Sequence, residues 1–506
     1  MAIVDTAPDA APEKTLFGHP RGLTFLFTTE MWERFSYYGM RAILVLYLVN
    51  FLLLHPNNEH VLGYASVKYS FEWVAACFGY VGAFLWHLVS SAPAPRGLVI
   101  TDLGVQPFSS LIYGNYTAFV YLTPFFGGII ADRLIGQRMS VIIGGVTMAI
   151  AEFTLMSPSL FFVGLLLLII GNGFFKPNIS TQVGNLYKPG DARIDRAYSI
   201  FYVGINVGAF FSPLVCGSLA EDPAFGFKWG FFAAGIGMLI GQIIYLFALR
   251  TLPKDRVERS RAGTETKKPL TSADWKAVVA LILLCIPTTL FWATYEQQGN
   301  TINLWAEQFT NRALIPGLVN WEIPVTWFQA FNPFMIFAFT PLVVWFWSRQ
   351  SARGKEPATV TKMALGNLLL AVSYVVMAAA AYFSPGGHAS WLWLFAFFAV
   401  ITFGELYLSP IGLALVARVS PPQILSAMMG LWFITSFTGN QLQGVIGSFF
   451  SQMNKVQFFL LCAGLGLVAA LLTWAFERPL RSIIEGKMSK PNAIVEPQGA
   501  EVRPVQ

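Results

Sequence analysis

Residues 30 to 41 read Glu30-Met31-Trp32-Glu33-Arg34-Phe35-Ser36-Tyr37-Tyr38-Gly39-Met40-Arg41. Glu30, Glu33, Arg34, Tyr37, Tyr38 and Arg41 stand at i, i+3, i+4, i+7, i+8 and i+11, which puts two acids, two guanidinium groups and two phenols on one stripe of a helix. Carboxylates beside cations take up and release protons as their partners come and go. A guanidinium grips a carboxylate with two parallel hydrogen bonds. The chemistry on offer is proton handling and the holding of an anionic group.

Further polar side chains are spread along the chain. Lys176 precedes Pro177 and Asn178, and Tyr202 and Asn206 lie one helical turn apart. Trp292 is followed by Glu296, Gln297 and Gln298; Asn332 precedes Pro333; Glu405 precedes Ser409 and Pro410; and Trp432 is followed by Ser436. Glu152 reads as a structural residue. The four cysteines, Cys77, Cys216, Cys285 and Cys462, show no metal-ligand spacing, so no metal is expected.

The elements that must position these groups are apolar. Of 506 residues 55% are hydrophobic and 12% charged, about half the charge of a soluble chain. Twelve runs long enough to cross a bilayer fall near 23–54, 109–131, 139–157, 160–182, 197–220, 229–249, 275–305, 328–347, 360–384, 391–416, 424–450 and 457–476. A basic linker at 251–274 divides them into six-helix bundles over 23–250 and 275–477, flanked by tails at 1–22 and 478–506. With both termini cytoplasmic, the outer loops hold five of the 33 Lys and Arg residues, namely Lys68, Arg96, Lys228, Arg312 and Lys455. This asymmetry explains the net charge of +6 and argues against nucleic acid as a partner. Within an insertion at about 60–108, the aromatic segment 71–90 would scramble the asymmetry if it crossed, so it is expected to lie laterally at the outer face. The expected fold is all-α, two six-helix bundles of the major facilitator type.

Charges inside spans are costly and mark functional sites. The first half carries net +1 (Glu30, Glu33, Arg34, Arg41, Lys176) and the second net −2 (Glu296, Glu405). A cavity between them suits a zwitterion about the size of a short peptide, carboxylate toward the first half and amine toward the second. No G-x-x-x-x-G-K-[ST] loop is present, which argues against ATP-driven transport. The absence of H-E-x-x-H and G-x-S-x-G, with all five His outside the helix core, argues against an enzyme. A channel or receptor would need neither the charge split nor the charged stripe.

Glu30-x-x-Glu33-Arg34-Phe35-x-Tyr37-Tyr38-Gly39 resembles the first-helix signature of the proton-dependent oligopeptide transporter family of the major facilitator superfamily. The resemblance continues through Tyr121-Leu122-Thr123-Pro124, Gly127 to Gly136, Phe201-Tyr202-x-x-Ile205-Asn206-x-Gly208, Trp292-x-x-x-Glu296-Gln297, Asn332-Pro333 and Gly404-Glu405-x-x-x-Ser409-Pro410. It implies symport of di- and tripeptides with protons into the cell, across the cell membrane, by a monomer that needs no cofactor beyond the proton gradient. It implies that Glu30, Glu33, Arg34 and Lys176 form a proton-coupling network, with Arg41 switching between Glu296 and the peptide carboxylate. Tyr37, Tyr121 and Asn206 would hold the peptide backbone, Asn332 and Glu405 the amine, and Trp292, Trp432 and Ser436 its side chains; Tyr202 joins them as a substrate contact. A relative carrying nitrate or an amphipathic drug is the rival reading, and keeping both Arg41 and Glu405 speaks against it. The chain departs from the family in lacking the extra helix pair that most bacterial members carry between the halves. It also has Gly114 where animal members place a histidine.

Overall fold

The structure is a computed structural model that describes residues 15–488 except 17, 74–75, 77–102, 189–190, 192, 254, 256–269, 316–320, 387 and 422–423. Among them are twelve helices of 19 to 34 residues. We number these α1 Arg21–Tyr47, α2 Val105–Ile130, α3 Gln137–Leu155, α4 Phe161–Asn185, α5 Ile194–Ser212, α6 Phe227–Ala248, α7 Ser272–Tyr295, α8 Phe331–Ala352, α9 Thr359–Phe383, α10 Leu392–Val419, α11 Leu425–Ser448 and α12 Lys455–Met488. Among the described residues, eleven spans are long and apolar enough to cross a membrane. The twelfth helix, α11, carries Thr435, Ser436, Thr438, Asn440, Gln441 and Gln443 and is the polar one. With no water in a bilayer core, helices that satisfy their own backbone groups are the form such runs take.

In the N-terminal half α1 packs on α5 and α6, and α3 packs on α4 and α6. In the C-terminal half α9 packs between α10 and α12, and α7 lies against α11 and α12. The halves meet where α2 runs along α11 and α5 meets α8. Small residues permit this approach: a Cβ on Gly114 of α2 would stand 2.6 Å from the Gly444 Cα of α11. The position where animal members place a histidine therefore has no room for a side chain in this protein.

The expected spans fall on these helices, with differences at their ends. The seventh, expected to be continuous over 275–305, breaks after Tyr295 into a tight turn, Glu296–Gly299, and restarts as Thr301–Gln308. Gly299 is needed at the break, because a Cβ there would lie 1.9 Å from the Tyr113 hydroxyl and 3.4 Å from Arg41 Nε. The tail expected over 1–22 is docked where it is described: Thr15–Leu16 pairs with His19–Pro20, and His19 Nδ1 lies 2.8 Å from the Tyr187 hydroxyl. At the other terminus α12 continues past the expected limit of 477 to Met488. In the insertion, residues 64–73 are helical, and the rings of Tyr64 and Phe71 meet Phe108 at 5.8 and 5.9 Å. The tail before residue 15, most of the 71–90 segment, the linker at 256–269 and the tail beyond 488 lie outside the described residues.

Candidate functional site

Two charged groups are built on α1, whose 27 residues put the stripe through the middle of the N-terminal half. In the first, Arg34 is bonded through Nε to Glu33 Oε2 and through Nη2 to Glu33 Oε1 at 2.6 Å. Glu30 Oε1 lies 3.3 Å from Arg34 Nε and 3.7 Å from Lys176 Nζ. Lys176 comes from α4, one residue before the internal Pro177. Glu30, Glu33 and Arg34 are buried and Lys176 is about one-third exposed, so two acids share two cations, one of them within reach of water. Protonating either acid would release a cation to the other.

The second group bridges the halves. Arg41 Nη2 is hydrogen-bonded to Glu296 Oε2, and Arg41 Nε donates to the Tyr113 hydroxyl at 2.6 Å. Glu296 sits at the break in the seventh span, a discontinuity of the kind that secondary transporters place at their substrate sites. Across from it, Glu405 Oε2 on α10 accepts from Tyr295 at 2.6 Å and from Asn332 Nδ2 at 2.9 Å. Asn332 Nδ2 also lies 3.0 Å from Thr402 Oγ1. Glu405 makes no ion pair among the described residues; Tyr295 and Asn332 are both neutral donors.

A cavity of about 210 Å³ lies between these groups. Arg41, Tyr121, Tyr202, Asn206, Trp292, Glu296, Asn332 and Glu405 face it, along with Tyr38, Tyr295, Gln298, Gln329 and Ser409. One wall thus bears a guanidinium and another an acid with neutral partners, with phenols, amides and an indole between them. The Trp292 indole Nε1 is buried there without a partner.

Three expected residues lie elsewhere. Tyr37 is buried, and its hydroxyl faces the interior of the N-terminal half beside Glu33, Tyr116 and Glu152. Successive helical residues diverge by about 100°, so Tyr38 takes the cavity position instead. Trp432 packs on α10, where a Cβ on Gly412 would come within 2.4 Å of its ring. Ser436, one turn on, is buried, and its carbonyl accepts from Asn440. Conversely, Tyr113 and Tyr295 are direct partners of Arg41 and Glu405 that sequence reasoning missed. Their signal is position: Tyr113 adjoins the glycine at the contact between halves, and Tyr295 immediately precedes Glu296.

Hydrogen bonds between the halves cluster at the end remote from the chain termini. Asn50 bonds Glu307 at 2.5 Å, and Trp327 donates to Ser218 at 2.8 Å. Glu221 accepts from the backbone N–H of Val325 and Thr326 at 2.7 and 2.8 Å. Toward the terminal end, Tyr202 lines the cavity yet remains 47% exposed. The cavity is thus closed off at the end remote from the termini and carries an exposed ring toward the other.

Residues 138–273 and 264–461 match the POT family. A peptide transporter of Yersinia enterocolitica is 30% identical over 88% of this chain and 90% of its own length. The chain belongs to the POT family. A di-/tripeptide transporter of Lactococcus lactis subsp. cremoris is 29% identical to this POT-family chain, over 93% of it and 98% of the relative. Among solved structures, a POT peptide transporter in complex with sulfate superposes with TM-score 0.77 at 26% identity, covering 94% of this chain and 97% of that one. A mutant POT peptide transporter holding alafosfalin gives TM-score 0.77 at 27% identity over the same shares. A POT-family transporter with 5-aminolevulinic acid gives 0.74 at 26% identity, over 92% and 98%. This POT-family chain is accordingly a multi-pass membrane transporter of the major facilitator fold.

Proposed function

We propose that this POT-family protein carries di- and tripeptides into the cell together with protons, by alternating access. The observation that carries this reading is the pairing of Arg41 and Glu405 on one cavity of about 210 Å³, a guanidinium for a carboxylate and an acid with neutral partners for an ammonium group. The names of the relatives, di-/tripeptide transporter and peptide transporter, support the same substrate class. A carrier of nitrate would have no use for Glu405, and an amphipathic drug would have none for both charges.

The scarcity of Lys and Arg in the outer loops supports a cytoplasmic location for both termini, and thus an inward-open arrangement of the cavity. The cell membrane is the proposed location, and a monomer the proposed working unit, because the cavity is completed by one chain. The energy source is the proton gradient, sensed by Glu30, Glu33, Arg34, Lys176 and Glu296, with no cofactor. Uptake of labelled dipeptide into proteoliposomes tests this. An imposed inward proton gradient should drive accumulation, and unlabelled di- and tripeptides should compete where nitrate does not. Absence of proton-driven accumulation, or competition by nitrate alone, refutes the reading.

A further inference from the structure

Inside the N-terminal half, apart from the substrate cavity, lies a closed space of about 10 Å³, at the lower limit for one water molecule. Glu33, Ser36 and Tyr37 of α1 face it, with Tyr116 of α2, Glu152 of α3 and Asn172 of α4. From α6 only apolar Met238 reaches it. Glu152 is buried: its Oε1 accepts from Ser36 Oγ at 3.2 Å, and its Oε2 has no partner. The hydroxyls of Tyr37 and Tyr116 and the Asn172 Oδ1 are likewise buried and unpartnered.

The nearby cation is already engaged. Arg34 is bonded twice to Glu33 and lies 3.3 Å from Glu30, while Lys176 faces Glu30. Glu152 makes no ion pair among the described residues, and apart from Glu33 the polar groups on the space are hydroxyls and an amide. An ionised carboxylate is costly in such surroundings, whereas a protonated one is a neutral donor facing an acceptor that lacks a partner. Among the described residues the other acid on the space is Glu33, one of the residues assigned above to the coupling network.

We propose that Glu152 is a second proton-binding carboxyl: it is loaded while Glu33 is also protonated, and after Glu33 has released its own proton Glu152 discharges through Glu33 across this space, so that two protons leave where the coupling network alone would release one. The proton leaves a Glu152 carboxyl oxygen and arrives on a Glu33 carboxylate oxygen, relayed by one water. Glu152 becomes the carboxylate and Glu33 the acid, and Arg34 is left to Glu30. This rests on the proton-coupled reading above.

The test is the proton-to-peptide ratio in proteoliposomes, measured from the peptide gradient at which net flux stops under a fixed pH difference. Each coupled proton multiplies that gradient about tenfold per pH unit. Glu152→Gln, close to isosteric, should lower the static gradient about tenfold at one unit, and Glu152→Asp should restore it. An unchanged gradient in the Gln variant overturns the proposal and leaves the coupling reading intact. A wild type that builds no proton-driven gradient removes both. Should the Gln variant not assemble, Glu152→Asp alone decides: it keeps a proton site one methylene farther from Ser36. It should hold the wild-type ratio while proton-driven uptake slows about tenfold relative to counterflow, and an unchanged rate relative to counterflow overturns the assignment.

Discussion

Arg41 and Glu296, 255 positions apart and on opposite halves of the molecule, are hydrogen-bonded directly to each other at the substrate cavity. A second bond, from Arg41 Nε to the Tyr113 hydroxyl at 2.6 Å, fixes the guanidinium plane. The arginine that would receive a peptide carboxylate is therefore occupied by an internal one. Substrate and Glu296 compete for the same donors, and neutralising Glu296 with a proton is the simplest way to free them. On the proposed reading, this shared guanidinium is where protonation of Glu296 would be felt by the substrate.

That exchange makes the acids testable by substitutions that cannot titrate. Gln keeps the length and hydrogen-bonding capacity of Glu but has no proton to give. Glu33→Gln and Glu296→Gln should each abolish uphill uptake under an inward proton gradient while preserving peptide counterflow at equal pH. Concentrative uptake at the wild-type level in both variants would remove Glu33 and Glu296 from the coupling network.

The guanidinium itself is tested by keeping its charge and removing its fork. Lys offers a point charge where Arg presents paired donors. Arg41→Lys should weaken dipeptide affinity by about 1.5–3 kcal/mol, the range for a lost charged hydrogen bond. Amidating the C-terminus of the dipeptide should cost the wild type far more than the variant. Equal penalties in binding assays of the two proteins would place the carboxylate elsewhere.

Much of this arrangement is legible in the sequence, because inside a membrane helix each charge stands out against an apolar background. The α1 stripe, Lys176, Glu296 and Glu405 needed only that contrast and helical spacing. Tyr37 and Tyr38 show where it stops: both fit the stripe, and only packing decides that Tyr38 faces the cavity and Tyr37 the interior. Trp432 and Ser436 misled for the same reason, since an indole on a polar helix packs equally well against a neighbouring helix. The break at Glu296 shows in the sequence only as a polar run, Glu296 to Thr301, inside a span drawn across it; what requires Gly299 there is the close approach of Tyr113 and Arg41, a long-range contact. Glu152 read as structural because it lies near the outer end of α3; that it meets Ser36 of α1 and shares a space with Glu33 is a long-range arrangement.

Two positions expected to line side-chain pockets make a paired test. Trp292 lines the cavity with an unpartnered indole N–H, whereas Ser436 lies away from it. Trp292→Ala should change the ranking of dipeptides that differ in side-chain size. Ser436→Ala should leave the ranking as it is. Competition of a dipeptide panel against one labelled substrate reads both, and a reordered ranking in the serine variant alone would reverse the assignment.

The amine end rests on Glu405. Its Oε2 accepts from Tyr295 at 2.6 Å and Asn332 at 2.9 Å, two neutral donors, and it makes no ion pair among the described residues. A carboxylate on a partly enclosed cavity with only neutral partners gains most from a cation that arrives there, and a peptide's α-ammonium is such a cation. The carbonyl oxygen of Asn332, whose amide nitrogen is committed to Glu405 and Thr402, would be left to accept beside it. N-acetylated dipeptides should therefore bind the wild type more weakly than free-amine ones by about 1.5–3 kcal/mol. Glu405→Gln should erase most of that difference by weakening the free-amine peptide, not by improving the acetylated one. Tyr295→Phe, which removes one donor from the carboxylate while keeping its charge, should preserve the discrimination. Binding measured at one constant pH decides the matter: if Glu405→Gln still prefers free-amine peptides as strongly as the wild type, the amine is held by another group.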